Sequence, residues 1–145
     1  DVLTQARLQT SVTVLNPAPA TALTKELLSL CDVAVPNETE SAELGGTQLL
    51  LGAGVATVIS TLGEQGAQIS DATSTTLVAP HKVDAIDTVG AGDAFVGALC
   101  AEIARGADIQ RAAQIASIAG ALATTVRGAV PSLPQRAAVM SLYAD

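Results

Sequence analysis

The run Val55-Ala56-Thr57-Val58-Ile59-Ser60 is almost continuously apolar and enters a glycine turn at Leu62-Gly63. A strand of this kind has no wet face, so it needs helices over both sides, which is the condition of a parallel sheet. The neighbouring chain supplies the alternation that such a sheet requires. Val12-Thr13-Val14-Leu15 is β-branched and stops at Asn16-Pro17, and Val33-Ala34-Val35 stops at Pro36-Asn37. Between them Leu23, Leu27, Leu28 and Leu30 recur at helical spacing around Lys25 and Glu26. Ile69 and residues 75–78 predict two shorter strands around the polar turn 70–74, an antiparallel hairpin at the sheet edge. Asp108 is the predicted N-cap of a helix running to about Val126, apolar or alanine on nearly every side. Residues 134–142 predict a last short helix with Pro134 in its first turn. Strand and helix in this order argue for a three-layer α/β/α sandwich on a mostly parallel sheet, with residues 1–145 forming one domain or part of one.

In a sheet of this class ligands bind beyond the carboxyl ends of the strands. The candidates are therefore the turns Asn16-Pro17-Ala18-Pro19, Pro36-Asn37-Glu38-Thr39-Glu40, Thr61-Leu62-Gly63-Glu64-Gln65-Gly66 and Asp87-Thr88-Val89-Gly90-Ala91-Gly92-Asp93. Composition removes whole classes of partner. Seven Lys and Arg against 14 Asp and Glu leave a formal charge of -7, without the basic footprint that nucleic acid or anionic lipid requires. Phe95 and Tyr143 are the only aromatics, so there is no stacking platform for single strands. Hydrophobic residues make up 49% of the chain, yet the longest weakly polar stretch, residues 49–59, is too short and too glycine-rich to span a bilayer. Cys31 and Cys100 form no CxxC, and His81 is the single histidine, so neither a metal framework nor a disulfide scaffold is expected. Two small buried thiols in a reducing, cytoplasmic compartment and an exposed bystander histidine are the expectation.

The sharpest motif is Gly90-Ala91-Gly92-Asp93 running straight into the helical residues 94–103. Two glycines let the backbone turn tightly and approach a ligand, and a helix start presents unpaired N–H groups and a partial positive charge. That combination cradles an anion, with Asp93 placed to accept a proton from a nearby hydroxyl. The plain alternative is a glycine turn with an ordinary first-turn acid. Phe95 stands where a dinucleotide fingerprint has its third glycine, and no GxxxxGK[ST] is present. Asn37 and Glu40, three apart at a helix start, face the same way; solvated capping residues are the alternative reading. Thr61, Gly63 and Gly66 form a turn whose backbone is able to approach a flat or anionic ligand, or else a simple hairpin turn.

The segment Asp87-Thr88-Val89-Gly90-Ala91-Gly92-Asp93-Ala94-Phe95 resembles the C-terminal signature of the ribokinase, or PfkB, family of carbohydrate kinases. Asn16-Pro17-Ala18-Pro19-Ala20, Pro36-Asn37-Glu38-Thr39-Glu40, Thr61-Leu62-Gly63 and Pro131-Ser132-Leu133-Pro134 follow in the order of the ribokinase branch of that family. The resemblance implies ATP-dependent phosphorylation of a pentose, D-ribose, at its terminal hydroxyl. It implies Asp93 as the base that takes the sugar proton, and Gly90, Ala91 and Gly92 as the anion hole around the transferring phosphoryl. Asn37, Thr61, Gly63, Gly66, Gly92 and Ser117 would contact ATP, and Glu40 would organise Mg²⁺ through water. Asp87, Val89, Ala123, Val126, Gly128 and Ser132 would hold an activating K⁺, mostly through carbonyls. Another sugar or nucleoside kinase of the family, or a non-catalytic nucleotide-binding remnant, are the rival expectations.

Two departures accompany the resemblance. Family members carry an N-terminal half with the sugar-binding residues and a β lid through which they form homodimers, and nothing of it is recognised here. The chain opens on Asp1-Val2-Leu3 without Met, as a fragment or processed product would. Residues 47–54 also look too short for the full helix that the family has before the Val55 strand.

Overall fold

The computed structural model describes Gln5, residues 11–21 and residues 23–143. They fall into two compact units, Asp1–Leu62 with Gln68–Leu77, and Gly63–Ala67 with Val78–Asp145.

The first unit is built on the sheet. Its elements are β1 (Val14–Leu15), α1 (Lys25–Leu28), β2 (Val33–Ala34), α2 (Glu38–Glu43), α3 (Thr47–Gly52), β3 (Thr57–Thr61), β4 (Ala67–Ser70) and β5 (Thr75–Val78), with only Ala67 and Val78 counted in the other unit. The strands form one sheet in the order β1-β2-β3-β4-β5. β1 and β2 are parallel with Val14 opposite Val33, and β2 and β3 are parallel with Val33 opposite Thr57. Residues 62–66 and 71–74 are too few for a crossover, so β3, β4 and β5 run antiparallel and the sheet is mixed. The expected edge hairpin is therefore present.

Val58 and Ile59 are successive residues, point to opposite faces of β3, and are both 0% exposed. That is the doubly covered strand which the apolar run demanded. Val58 packs with Leu28, Cys31, Ala34, Leu50, Ala53 and Val55 in one cluster. Three expectations are corrected. The segment 23–30 is helical only at Lys25–Leu28, capped by the Thr24 hydroxyl, which accepts the Leu27 N–H at 3.2 Å. Residues 47–54 do supply a helix: α3 starts on Gly46, whose φ of 91° is free only to glycine, and buries Leu50. Cys31 is buried as expected, donating its thiol to the Leu27 carbonyl at 3.4 Å, whereas Cys100 in the second unit is only half-buried.

The second unit is helical: α4 (Ala91–Ala104), α5 (Ile109–Ala123), α6 (Ala129–Ser132) and α7 (Arg136–Tyr143). α4 and α5 form a hairpin closed by Gly106 at φ 86°. Asp108 caps α5 by accepting the Arg111 N–H at 2.8 Å. The stripe Ala112, Ala113, Ala116, Ala119, Gly120 and Ala123 is buried along α5, and small side chains let helices approach closely. At Gly120 a Cβ would stand 3.2 Å from the Ala91 carbonyl at the start of α4. Val139 of α7 closes a cluster with Ile115, Ile118 and Ala119. The Glu102 carboxylate, 4% exposed, is gripped from α7 by Arg136, whose Nε and Nη2 donate at 2.8 and 3.2 Å. His81 lies in a loop and is half-buried rather than exposed.

Candidate active site

The first unit gathers Asn37, Glu40 and Thr61 at the carboxyl ends of β2 and β3. Thr61 donates its N–H to the Pro36 carbonyl at 3.0 Å, and Asn37 bridges Thr61 as a parallel neighbour. Asn37 and Glu40 form a reciprocal capping box: Asn37 Oδ1 accepts the Glu40 N–H at 2.8 Å, and Glu40 Oε2 accepts the Asn37 N–H at 2.8 Å. The capping role weighed in the sequence is thus present, but the acid is not solvated, since Glu40 is 9% exposed. The box also decides polarity. With Oδ1 committed to the helix, the end of the Asn37 amide left for a ligand is its NH₂ donor, which suits phosphate oxygens. Asn16, in the first of the candidate turns at the end of β1, donates its Nδ2 to the Val35 carbonyl at 2.9 Å and steadies the strand leading to Asn37.

The second unit carries the glycine turn. Gly90 is the N-cap of α4 at φ 83°, and a Cβ on it would lie 3.0 Å from Ala129 Cα. Both conformation and space therefore demand glycine. The Ala91 N–H is taken by the Thr88 carbonyl at 3.2 Å, and the Ala94 N–H closes the first helical bond to Gly90 at 2.9 Å. Gly92 and Asp93, the second and third helical residues, have no intrahelical acceptor for their N–H groups. A Cβ on Gly92 would meet nothing within 4 Å, so no packing neighbour explains glycine there. Asp93 is exposed beside it. The arrangement is an open pair of donors at the positive end of a 14-residue helix, with a carboxylate at the same turn.

Asp87 holds this turn to the loop after α5. Its Oδ1 accepts the Val89 N–H at 3.0 Å and its Oδ2 the Gly128 N–H at 2.9 Å, while its own N–H donates to the Thr124 carbonyl at 3.0 Å. These donated bonds, the Gly128 amide foremost, hold the Asp87 carboxyl below the ordinary aspartate value of 3.8. Of the expected K⁺ ligands, Asp87, Val89 and Gly128 are thereby brought together. The Gly128 carbonyl receives the Ser132 N–H at 3.3 Å, and the buried Ser132 hydroxyl donates to Ala129 at 2.8 Å. Ala123, fully buried, ends α5, and Val126 is 44% exposed in the following turn. An ionised carboxylate among helix-end carbonyls suits a monovalent cation in charge and donor type.

The remaining expected nucleotide contacts differ among themselves. Gly63, at φ 55°, opens a single 3₁₀ turn (Gly63–Gln65) with open space around it. Gly66 is buried, and a Cβ there would come within 2.2 Å of the Val78 carbonyl, so its glycine is required by packing. The half-buried Ser117 directs its hydroxyl to the Ala79 carbonyl at 3.4 Å, a long bond that a stronger acceptor would displace. No group of three His, Cys, Asp or Glu side chains able to hold a metal exists among the described residues. What fits Glu40 is a Mg²⁺ ion that arrives coordinated by phosphates and water. No helix among the described residues is long and apolar enough to cross a membrane.

Comparison with known proteins shows the family and the fold. The model of the pfkB family carbohydrate kinases matches residues 1–136. The chain is 39% identical to the ribokinase of Staphylococcus aureus over 135 residues, covering 84% of this chain and 44% of that protein. It is 34% identical to the deoxyribokinase of Salmonella typhi over 134 residues, covering 83% and 44%. Among solved structures, ribokinase of Thermotoga maritima superposes with a TM-score of 0.90 at 28% identity, covering 99% of this chain and 52% of that one. Arabidopsis thaliana ribokinase, solved with ribose and ATP, superposes at 0.86 and 26% identity over 97% and 50%. The chain belongs to the pfkB family of carbohydrate kinases, with the α/β fold of ribokinase. It spans less than half the length of these curated relatives and about half of the solved chains.

Proposed function

We propose that this chain carries the nucleotide-binding and phosphoryl-transfer residues of an ATP-dependent kinase that phosphorylates D-ribose at its terminal hydroxyl. The observation that supports the reading is the start of α4: two N–H donors without helical partners, open space at Gly92 and an exposed Asp93 carboxylate in one turn. In this reading Asp93 takes the proton of the attacking sugar hydroxyl as the bond to the γ-phosphorus forms and the bond to the bridging oxygen breaks. The transition state of such a transfer is loose, so the proton leaves late and a positioned carboxylate suffices as its acceptor. The Gly92 and Asp93 amides, backed by the helix dipole, stabilise the charge on the transferring group. Asn37 donates its NH₂ to the nucleotide phosphates, Thr61 and Gly63 line the nucleotide, and Ser117 contacts it. Glu40 would orient Mg²⁺, which would supply neutralisation of the phosphate charge when bound. K⁺ at Asp87, Val89, Ala123, Val126, Gly128 and Ser132 completes the assignment.

Ribose is favoured by the likeness to ribokinases, including one solved with ribose and ATP. A fructokinase of Vibrio cholerae at 30% identity and a TM-score of 0.82 makes a hexose the specific second reading. ADP release measured with D-ribose, 2-deoxy-D-ribose, D-fructose and a nucleoside, each in K⁺ and in Na⁺, tests the assignment. The expected result is the highest kcat/KM with D-ribose and a higher kcat in K⁺. Preference for fructose or the nucleoside overturns the substrate, and equal rates in both salts overturn the cation.

A further inference from the structure

The loop after α5 and the segment leading into the glycine turn are joined by one side chain 41 residues away in sequence. Asp87 Oδ2 takes the Gly128 N–H at 2.9 Å, Oδ1 takes the Val89 N–H at 3.0 Å, and the Ile86 and Asp87 N–H groups both reach the Thr124 carbonyl, at 2.7 and 3.0 Å. Immediately beyond these ties Gly90 packs on Ala129 without room for a Cβ, and Gly120 lies against the Ala91 carbonyl. The first turn of α4 is thus held from three sides by the end of α5 and the loop that follows. We propose that Asp87 is a positioning residue whose two carboxylate oxygens clamp the Val89 and Gly128 amides, setting the direction of the Gly92 and Asp93 N–H groups.

The relevance to catalysis rests on the functional reading above; the clamp itself does not. Its chemistry is specific, because two donors require two acceptor oxygens. Asparagine offers one acceptor and a donor NH₂ that would face an N–H group. Asp87→Asn, nearly the same shape, should therefore release one of the two amides, and Asp87→Ala both.

The test is amide hydrogen exchange by NMR on the protein in choline chloride, free of K⁺ and Na⁺, with nucleotide binding measured alongside by calorimetry using a non-hydrolysable ATP analogue. The wild-type Gly128 and Val89 amides are expected to exchange about tenfold or more slowly than the neighbouring Arg127 amide. Asp87→Asn should restore fast exchange at one of them and shift the Gly92 and Asp93 amide resonances. Wild-type exchange at the unprotected rate in choline, slowing only when K⁺ is added, would overturn the proposal even if the variants failed to fold. So would an Asp87→Asn protein that keeps both protections and unshifted Gly92 and Asp93 resonances. Absence of analogue binding to the wild type, with the protections intact, would instead overturn the functional reading and leave the clamp standing.

Discussion

Gly92 and Gly66 are both glycines in motifs that would touch a nucleotide, and their surroundings assign them opposite kinds of importance. Nothing lies within 4 Å of a Cβ on Gly92, while a Cβ on Gly66 would reach the Val78 carbonyl at 2.2 Å with φ at 90°. Gly92→Ala should therefore fold as well as the wild type, within about 0.5 kcal/mol, as open surface positions do. Its turnover should fall about 10²-fold, the size of effect that a slight misplacement of reacting groups produces. Gly66→Ala should lose about 2 kcal/mol or more of stability. Urea unfolding and steady-state kinetics on the pair check this; unchanged turnover for Gly92→Ala would remove the cradle role. Glu40 allows a similarly clean separation, because glutamine retains a carbonyl oxygen to accept the Asn37 N–H. Glu40→Gln should keep the melting temperature and raise the Mg²⁺ concentration for half-maximal rate by about tenfold, the loss of one charged ligand. A superimposable Mg²⁺ titration would reduce Glu40 to a cap. Much of this was legible from residue types: Gly90, Gly92 and Asp93 stand where the sequence puts them. The Asp87 clamp was not, because its partners are main-chain amides that carry no sequence signature.

At the scale of elements, long periodic segments were readable and short ones were not. α5 declares itself through Asp108 and a run of buried alanines, and only its last turn was overestimated, the helix ending at Ala123. α3 was invisible because it starts on Gly46, without any capping side chain, and is six residues long. Neither did sequence periodicity reveal the tie between α4 and α7. There the Arg136 hydrogen bonds, with Arg136, Arg105 and Arg111 charges adding to them, hold the Glu102 carboxyl below its ordinary 4.5. A lowered folded-state value means that the ionised form is the stabilising one. The contribution is complete above the ordinary carboxylate range and is lost as pH falls through the lowered value. Glu102→Gln should therefore be less stable than the wild type at pH 7, and the difference should shrink steadily below pH 4.5. Thermal melts of both proteins across that range check it; a pH-independent difference would mean that packing, not charge, is what Glu102 supplies.

At the scale of the molecule, one strand with no wet face led to the parallel core β1-β2-β3, and two short links, one glycine-bearing and one polar, led to the antiparallel edge. Residues with candidate chemistry fall on both units: Asn37, Glu40 and Thr61 on the first, and the Asp87 to Asp93 segment with Gly128 and Ser132 on the second. Family membership rests on the match over residues 1–136, and D-ribose on the likeness to ribokinases. The central claim is that the start of α4 is a phosphoryl-transfer site with Asp93 as its base. It is tested most directly by D-ribose-dependent ADP formation in the wild type and in Asp93→Asn, with ATP affinity measured on both. The account predicts a fall in kcat of about 10²–10⁴-fold, the usual share of acid–base catalysis, with ATP affinity unchanged. A loss below about tenfold, or a loss matched by an equal loss of ATP binding, would contradict it.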